Sequence, residues 1–399
     1  MLVAALMSTQ ALAVDAMLPA LATIARELGV SNPNHAQWII TAYLAGVGSG
    51  QLVWGLLADR FGRRSVLLTG LALYVLAALL CALSSSFTSL LLWRLLHGMA
   101  AASMVVARSV IRDLYSGRPM ARVMSLTFVV FLIVPIIAPS VGQLILMFAP
   151  WRAIFAVFAV FGALVWLWAW WRLRETLHPE YRLTLTAQHI GGAVRLVLGD
   201  RTSLCYTLAM MVMFGSLLAY VAMVQQIFAE VFQRASWMPS MFALCAIFMG
   251  CASWFNAHIV ERIGMRHVSH TALLAFIGVS ALHVLIVHLG YERLWTFVLL
   301  QALTMGGFSL AVANFGAMAM EPVGAVAGIG AALQGFISTV GAALVGAAIG
   351  RYFHGTTMPV AAGALCTGLV ALLFALWAER WRLFRPHHAQ DQALARPSV

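Results

Sequence analysis

Two short charged turns, each set between apolar runs, constrain this chain more than any other feature. The first is GLLADRFGRR at Gly55–Arg64, and the second, ERIGMR at Glu261–Arg266, follows 202 residues later in a chain of 399. Both keep the order acid-Arg-x-Gly-x-Arg. The flanking runs reach about 20 mostly apolar residues, the length a helix needs to cross the hydrocarbon of a bilayer. A charged hairpin repeated at half the chain length, inside such runs, implies a duplicated polytopic membrane protein.

Composition supports this. Hydrophobic residues make up 62% of the chain and charged residues 9%, against about 45–50% and about 25% in soluble domains. One water-soluble core of this length cannot hide that excess, so lipid must be the main solvent. Twelve spans are expected. In the first half they fall at 2–25, 37–58, 66–84, 88–110, 123–146 and 152–171. In the second they fall at 203–225, 238–259, 268–289, 294–314, 325–349 and 358–378. The expected fold class is all-α, with two pseudo-symmetric six-helix bundles at 1–171 and 203–379. A central loop (172–202) joins them and a polar tail (380–399) follows. Asp15 interrupts the first apolar run and no basic stretch precedes it, so that run reads as a retained span rather than a signal peptide.

All 24 basic residues are Arg, giving a net charge of +11. With both termini cytoplasmic, 18 Arg lie in inner loops and tail, and five (Arg26, Arg152, Arg234, Arg293, Arg351) lie outside. The positive-inside rule demands that asymmetry, so the positive charge faces anionic lipid and nucleic acid is not an expected partner. The five cysteines lie in apolar segments without CxxC, and the twelve His show no ligand spacing, so no metal site is expected. No nucleophile-base constellation or Walker sequence is present, so neither an enzyme nor an ATP-driven machine is expected.

Asp15 and Arg94 carry the intramembrane charge. A charged side chain at mid-helix costs about 2.5–3.5 kcal/mol on insertion scales, so it needs water, a proton or a partner. Burial disfavours a carboxylate and a nearby guanidinium favours it; a carboxyl group held between the two can exchange a proton. Arg94 is the expected partner, and a structural ion pair is the alternative. In the fifth span, Pro135, Pro139 and Gly142 form a helix-bending pattern, with the glycine expected to pack closely against the other half. In the first hairpin, Gly55 and Gly62 are expected to allow close approach and a tight turn. Asp59, Arg60, Arg63 and Arg64 supply charges for a conformational latch between packings of the halves.

GLLADRFGRR resembles the signature loop between spans two and three of the major facilitator superfamily. Other segments resemble its twelve-span drug:proton antiporters, in particular the Bcr/CflA branch. They are VDAMLPALATIA (Val14–Ala25), WRLLHGMAAASMVVARSVIRDLY (Trp93–Tyr115), VPIIAPSVGQLI (Val134–Ile145), WRAIF (Trp151–Phe155) and RETLHPE (Arg174–Glu180). The resemblance implies proton coupling through an acid in span one and an Arg in span four, and export rather than import. Met7 stands where some relatives place a second acid, and no other acid is expected deep in a span; one exchanged proton is therefore the simplest stoichiometry. Tyr43, Gln51, His97, Gln143, Tyr220, Gln225, Asn256, Asn314 and Gln334 are candidate cavity residues, each with helix-helix hydrogen bonding as its alternative.

The sequence thus points to a monomeric exporter of small hydrophobic drugs in a bacterial inner membrane. A proton gradient, not a cofactor, would power it. Two alternatives stay open: a metabolite carrier of the same fold, moving a sugar or amino acid, and a membrane sensor or scaffold that transports nothing.

Overall fold

In the computed structural model, residues 2–114, 134, 136–177, 180 and 187–384 are described. The described residues contain no strand. Eleven helices are long and apolar enough to span a membrane: α1 (Leu2–Glu27), α2 (Asn34–Phe61), α3 (Arg63–Ala82), α4 (Phe87–Ile111), α6 (Arg152–Arg172), α7 (Arg201–Val231), α8 (Ala235–Ile263), α9 (Met265–His288), α10 (Leu294–Val323), α11 (Gly328–Gly350) and α12 (Met358–Ala378). A shorter apolar helix, α5 (Ile136–Phe148), stands at the expected fifth span. Residues 123–133 and Pro135 of that span, and the tail beyond residue 384, lie outside the described residues. Between α6 and α7 the helix Ala187–Gly199 packs against α7 and α11.

The two hairpins set the architecture. Gly62 ends α2 and caps α3 at φ 100°, ψ 152°; Gly264 does the same between α8 and α9 at φ 89°, ψ 150°. A side chain is strained at such a φ, so the glycine in each motif copy fixes the same turn. Packing repeats as well. In the first half α2 packs on α4, α3 on α4 and α6, and α1 on α6; in the second α8 packs on α10, α9 on α10 and α12, and α7 on α12. The repeat makes two pseudo-symmetric helix bundles.

Small residues let the backbones meet. A Cβ on Gly46 or Gly50 of α2 would collide with the α4 backbone at Leu95 and Met99, and one on Gly98 of α4 would collide with Tyr43 of α2. Apolar tails offer no hydrophobic drive between spans, so this close contact is what holds the pair. The halves meet chiefly along α2 and α11. Ile39 and Ile40 share one buried cluster with Ala222, Met223 and Ala343 of the second half.

Candidate functional site

Asp15 sits at a break in α1. The α-helix ends at Asp15, a 3-10 turn Leu18–Ala20 follows, and helix resumes at Leu21–Glu27. Pro19 explains the break, because it lacks the N–H that would bond the Asp15 carbonyl four residues back. Discontinuous spans of this kind carry polar backbone to mid-membrane depth. The Asp15 side chain is buried, and α5 closes over the break: a Cβ on Gly142 would sit on the Ala16 carbonyl. Gly142 therefore packs within its own half, correcting the expected contact with the other half. Pro139 is buried three residues earlier; Pro135 is outside the described residues.

Arg94 is fully buried on α4, and its partner is not the expected one. Among the described residues Asp15 makes no salt bridge, with Arg94 or any other cation. The guanidinium instead donates to the carbonyls of Ala13 (3.1 Å) and Ile39 (3.3 Å) and to His97 Nδ1 (3.3 Å). The Tyr43 ring lies 4.3 Å from it and Phe155 5.7 Å. The break in α1 accounts for the change, since it leaves a main-chain oxygen two residues from Asp15 open to a donor. Arg94 thus ties α4 to both α1 and α2 through backbone oxygens. Accepting from Arg94 leaves His97 Nε2 as the protonated nitrogen. That Nε2 is buried with no hydrogen-bond partner, beside Tyr43 and Tyr74, whose ring centroids lie 5.4 and 4.3 Å away. Both phenols donate back to α1, Tyr43 to Gln10 O and Tyr74 to Thr9 O.

The remaining cavity candidates do not converge on one site. Asn314 donates to Asn256 (2.8 Å), joining α10 to α8, and Gln334 reaches Gly316 O of α10. Gln51 faces Gly335 across the two halves. Tyr220 lies among Phe242 and Phe297, and Gln143 is half-buried. Gln225 lines a cavity of about 330 Å³ between α1, α2 and α7, at the end opposite the hairpins, with Arg26, Gln37 and Glu230.

At the hairpin end, Arg63 is buried between Asp59 and Asp113 (3.1 Å). Glu175 covers Gly62 and accepts from the backbone N–H of Arg63 (2.8 Å) and Arg64 (3.2 Å), an anion on the positive end of α3. The Arg64 side chain donates to Trp170 O, and Arg60 lies over Phe61. Every one of these partners belongs to the first bundle or, for Glu175, to the start of the central loop that follows it, so none reaches the second bundle. Gly55 faces open space, which corrects the close approach expected there.

The second hairpin repeats the scheme with other acids. Arg266 bonds Glu379 (2.9 Å) and Glu321 (3.2 Å). A directed chain runs from Phe384 N–H to His270 Nδ1, from His270 Nε2 to Tyr206 O, and from Tyr206 O–H to Glu379 (2.6 Å). Glu379 is fully buried just past the end of α12, a buried carboxylate outside the spans that the sequence reading did not single out. The motif register did not point to it: Arg266 aligns with Arg64 and Met265 with Arg63, yet it is Arg266 that takes the two-acid position Arg63 holds in the first hairpin.

The opposite end carries a clamp that sequence reasoning missed. Asn34 Nδ2 donates to Phe353 O (2.9 Å) and more weakly to Arg351 O (3.4 Å). Gln226 donates to Asn34 Oδ1 (3.1 Å), and Gln37 donates to Gln226 Oε1 (2.9 Å) and Gly350 O (3.4 Å). All of these bonds cross between the halves and none is ionic.

Comparison with known proteins agrees with this architecture. The family model of the Major Facilitator Superfamily matches residues 3–346. The chain is 30% identical over 383 residues to an uncharacterized MFS-type transporter, YdgK, of Bacillus subtilis, covering 92% of each. It is 28% identical to a bicyclomycin resistance protein homolog of Haemophilus influenzae, covering 87% of each. Among solved structures, the xylose transporter XylE from E. coli, in a partially occluded inward open conformation, superposes with a TM-score of 0.74 at 12% identity. That match covers 95% of this chain and 96% of XylE, and shows the fold alone.

Proposed function

The chain belongs to the major facilitator superfamily, and from that premise we propose that it exports small hydrophobic compounds in exchange for protons. The compounds are of the phenicol and bicyclomycin kind, and the setting is a bacterial inner membrane. The Haemophilus relative, by its name a bicyclomycin resistance homolog, supports the substrate class. The Arg asymmetry supports cytoplasmic termini and a cytoplasmic hairpin end. Here the protein works as a monomer, with the proton gradient as its energy source.

The observation that carries the reading is Asp15, a buried carboxyl group at a break in α1 that makes no salt bridge among the described residues. Protonation there removes a charge from the junction of α1 and α5, two residues from the carbonyl that Arg94 holds. The proton then biases the equilibrium between two packings of the halves, and substrate that favours one packing exchanges against it. Arg94 acts as the anchor of this region rather than as a counter-ion. The amide clamp serves as the periplasmic gate, and the hairpin charges hold the cytoplasmic ends of each half together.

The test is drug-induced proton movement in everted membrane vesicles, wild type against Asp15→Asn, with phenicols, bicyclomycin, sulfonamides and lipophilic cations. Antiport through Asp15 predicts a signal for some compounds that is absent in the variant. If no compound moves protons through wild type, drug export is refuted and a metabolite carrier of the same fold takes its place. A signal that survives the substitution removes Asp15 as the proton site.

A further inference from the structure

A groove of about 700 Å³ opens between α11 and α12, near the end opposite the hairpins. Its origin is in the packing. α11 leans on α7 and α2, while α12 leans on α7 and α9, so the two helices diverge over α7. Small residues on the facing surfaces, such as Ala348 and Ala362, leave the gap unfilled, while Gly363 lets the Ile349 side chain approach closely. Val212 of α7 forms the floor, and Val345, Ile349, Cys366 and Val370 extend the apolar walls. Outside it, Leu344 and Leu373 are exposed, so the mouth faces hydrocarbon. A volume of this size is within the range of small-molecule sites, about 300–1,000 Å³.

Its polarity is graded along its length. The polar rim is concentrated in the loop between α11 and α12, where Tyr352, His354 and Thr356 line the groove. Arg351 donates to the Tyr352 hydroxyl (2.9 Å) and lies over its ring, which sets a fixed cation beside that rim. Glu292 also reaches this loop, but its carboxylate is engaged by His283 (2.7 Å) and Thr357. An apolar trough capped at one end by a guanidinium matches an acidic amphiphile.

We propose that this groove binds one acidic phospholipid of the adjoining leaflet, an acyl chain lying between α11 and α12 and its phosphate beside Arg351. The rim loop is the segment that Asn34 grips through the carbonyls of Arg351 and Phe353, so a bound lipid braces the clamp between the halves.

Native mass spectrometry of the delipidated full-length protein, titrated with phosphatidylglycerol or phosphatidylcholine, tests the assignment. Wild type is expected to retain one phosphatidylglycerol about fivefold more tightly than phosphatidylcholine, the effect of one cation near an anionic lipid. Arg351→Gln removes that preference, bringing retention of phosphatidylglycerol down to that of phosphatidylcholine. Cys366→Phe, which fills an exposed part of the groove, removes the tight adduct for both lipids. Ala362→Phe does the same from a neighbouring turn, and circular dichroism checks that each variant stays folded. Equal retention of the two lipids by wild type, or adducts unchanged in both filled variants, overturns the proposal. Displacement of the retained lipid by a phenicol also overturns it, because the groove would then be a substrate port.

Discussion

Replacing Asn34 by alanine should loosen the end of the molecule opposite the hairpins by an amount that the structure sets. The substitution deletes the bond to Phe353 O at 2.9 Å and the one accepted from Gln226 at 3.1 Å, together with the marginal one to Arg351 O at 3.4 Å. A neutral hydrogen bond contributes about 0.5–1.5 kcal/mol net, so the two good ones supply about 1–3 kcal/mol. Asn34 is only half-buried and water can take over the freed carbonyls, which places the effect near the low end. A loss of about 1.4 kcal/mol shifts the balance of clamped and open forms about tenfold. Gln37 still bonds Gln226 and Gly350, so the clamp weakens without vanishing. Electron-electron distance measurement between spin labels at Ser31 and Ser236, both exposed and on opposite halves, reads the population directly in a cysteine-free background. The variant should show a longer second distance at the expense of the wild-type one. An unchanged distance distribution, with the protein folded, would refute the clamp as a gate.

Three further expectations follow from the packing of charges and glycines. Gly62→Ala and Gly264→Ala each force a side chain into a positive-φ, extended-ψ region that is essentially reserved for glycine, at about 1–3 kcal/mol. Gly62→Ala should nonetheless cost more, because its Cβ also meets Glu175 whereas that of Gly264 meets nothing; unfolding midpoints of the two variants in detergent compare them. Arg94→Ala leaves the Ala13 carbonyl and His97 Nδ1 without their donor, at about 1–3 kcal/mol per orphaned group, while the Ile39 carbonyl keeps its helical partner; a thermal-shift assay should show marked destabilisation even though no ion pair among the described residues is broken. Glu379→Ala removes the acceptor of both Arg266 and Tyr206 and should cost about 3–5 kcal/mol in the same assay, whereas Glu261→Ala, at an exposed position, should cost little.

Much of the fold was legible because lipid imposes a simple rule on the sequence. Runs of about 20 apolar residues and two glycine turns are local features, and the spans and hairpins follow from them. The site was legible only in part. Asp15 and Arg94 stand out as charges in apolar runs, but hydropathy does not say which atoms they reach. The unexpected partner of Arg94 is the Ala13 carbonyl, left open where Met17 N–H turns to Val14 O at the break in α1, and backbone acceptors are invisible to a search for opposite charges. Glu379 reads as the start of a polar tail, and only the meeting of α12 with α9 and α7 buries it. The clamp of Asn34, Gln37 and Gln226 joins residues up to 319 positions apart, all of an unremarked type in or next to loops.

The central claim is that proton movement through Asp15 drives substrate across the membrane. The most direct measurement is uphill accumulation of a radiolabelled phenicol in proteoliposomes under an imposed pH gradient. The account predicts accumulation into the acidic lumen, against the phenicol's own concentration gradient, in wild type. It also predicts collapse to equilibration when the gradient is dissipated, and no accumulation with Asp15→Asn. Accumulation by Asp15→Asn equal to that of wild type would contradict it.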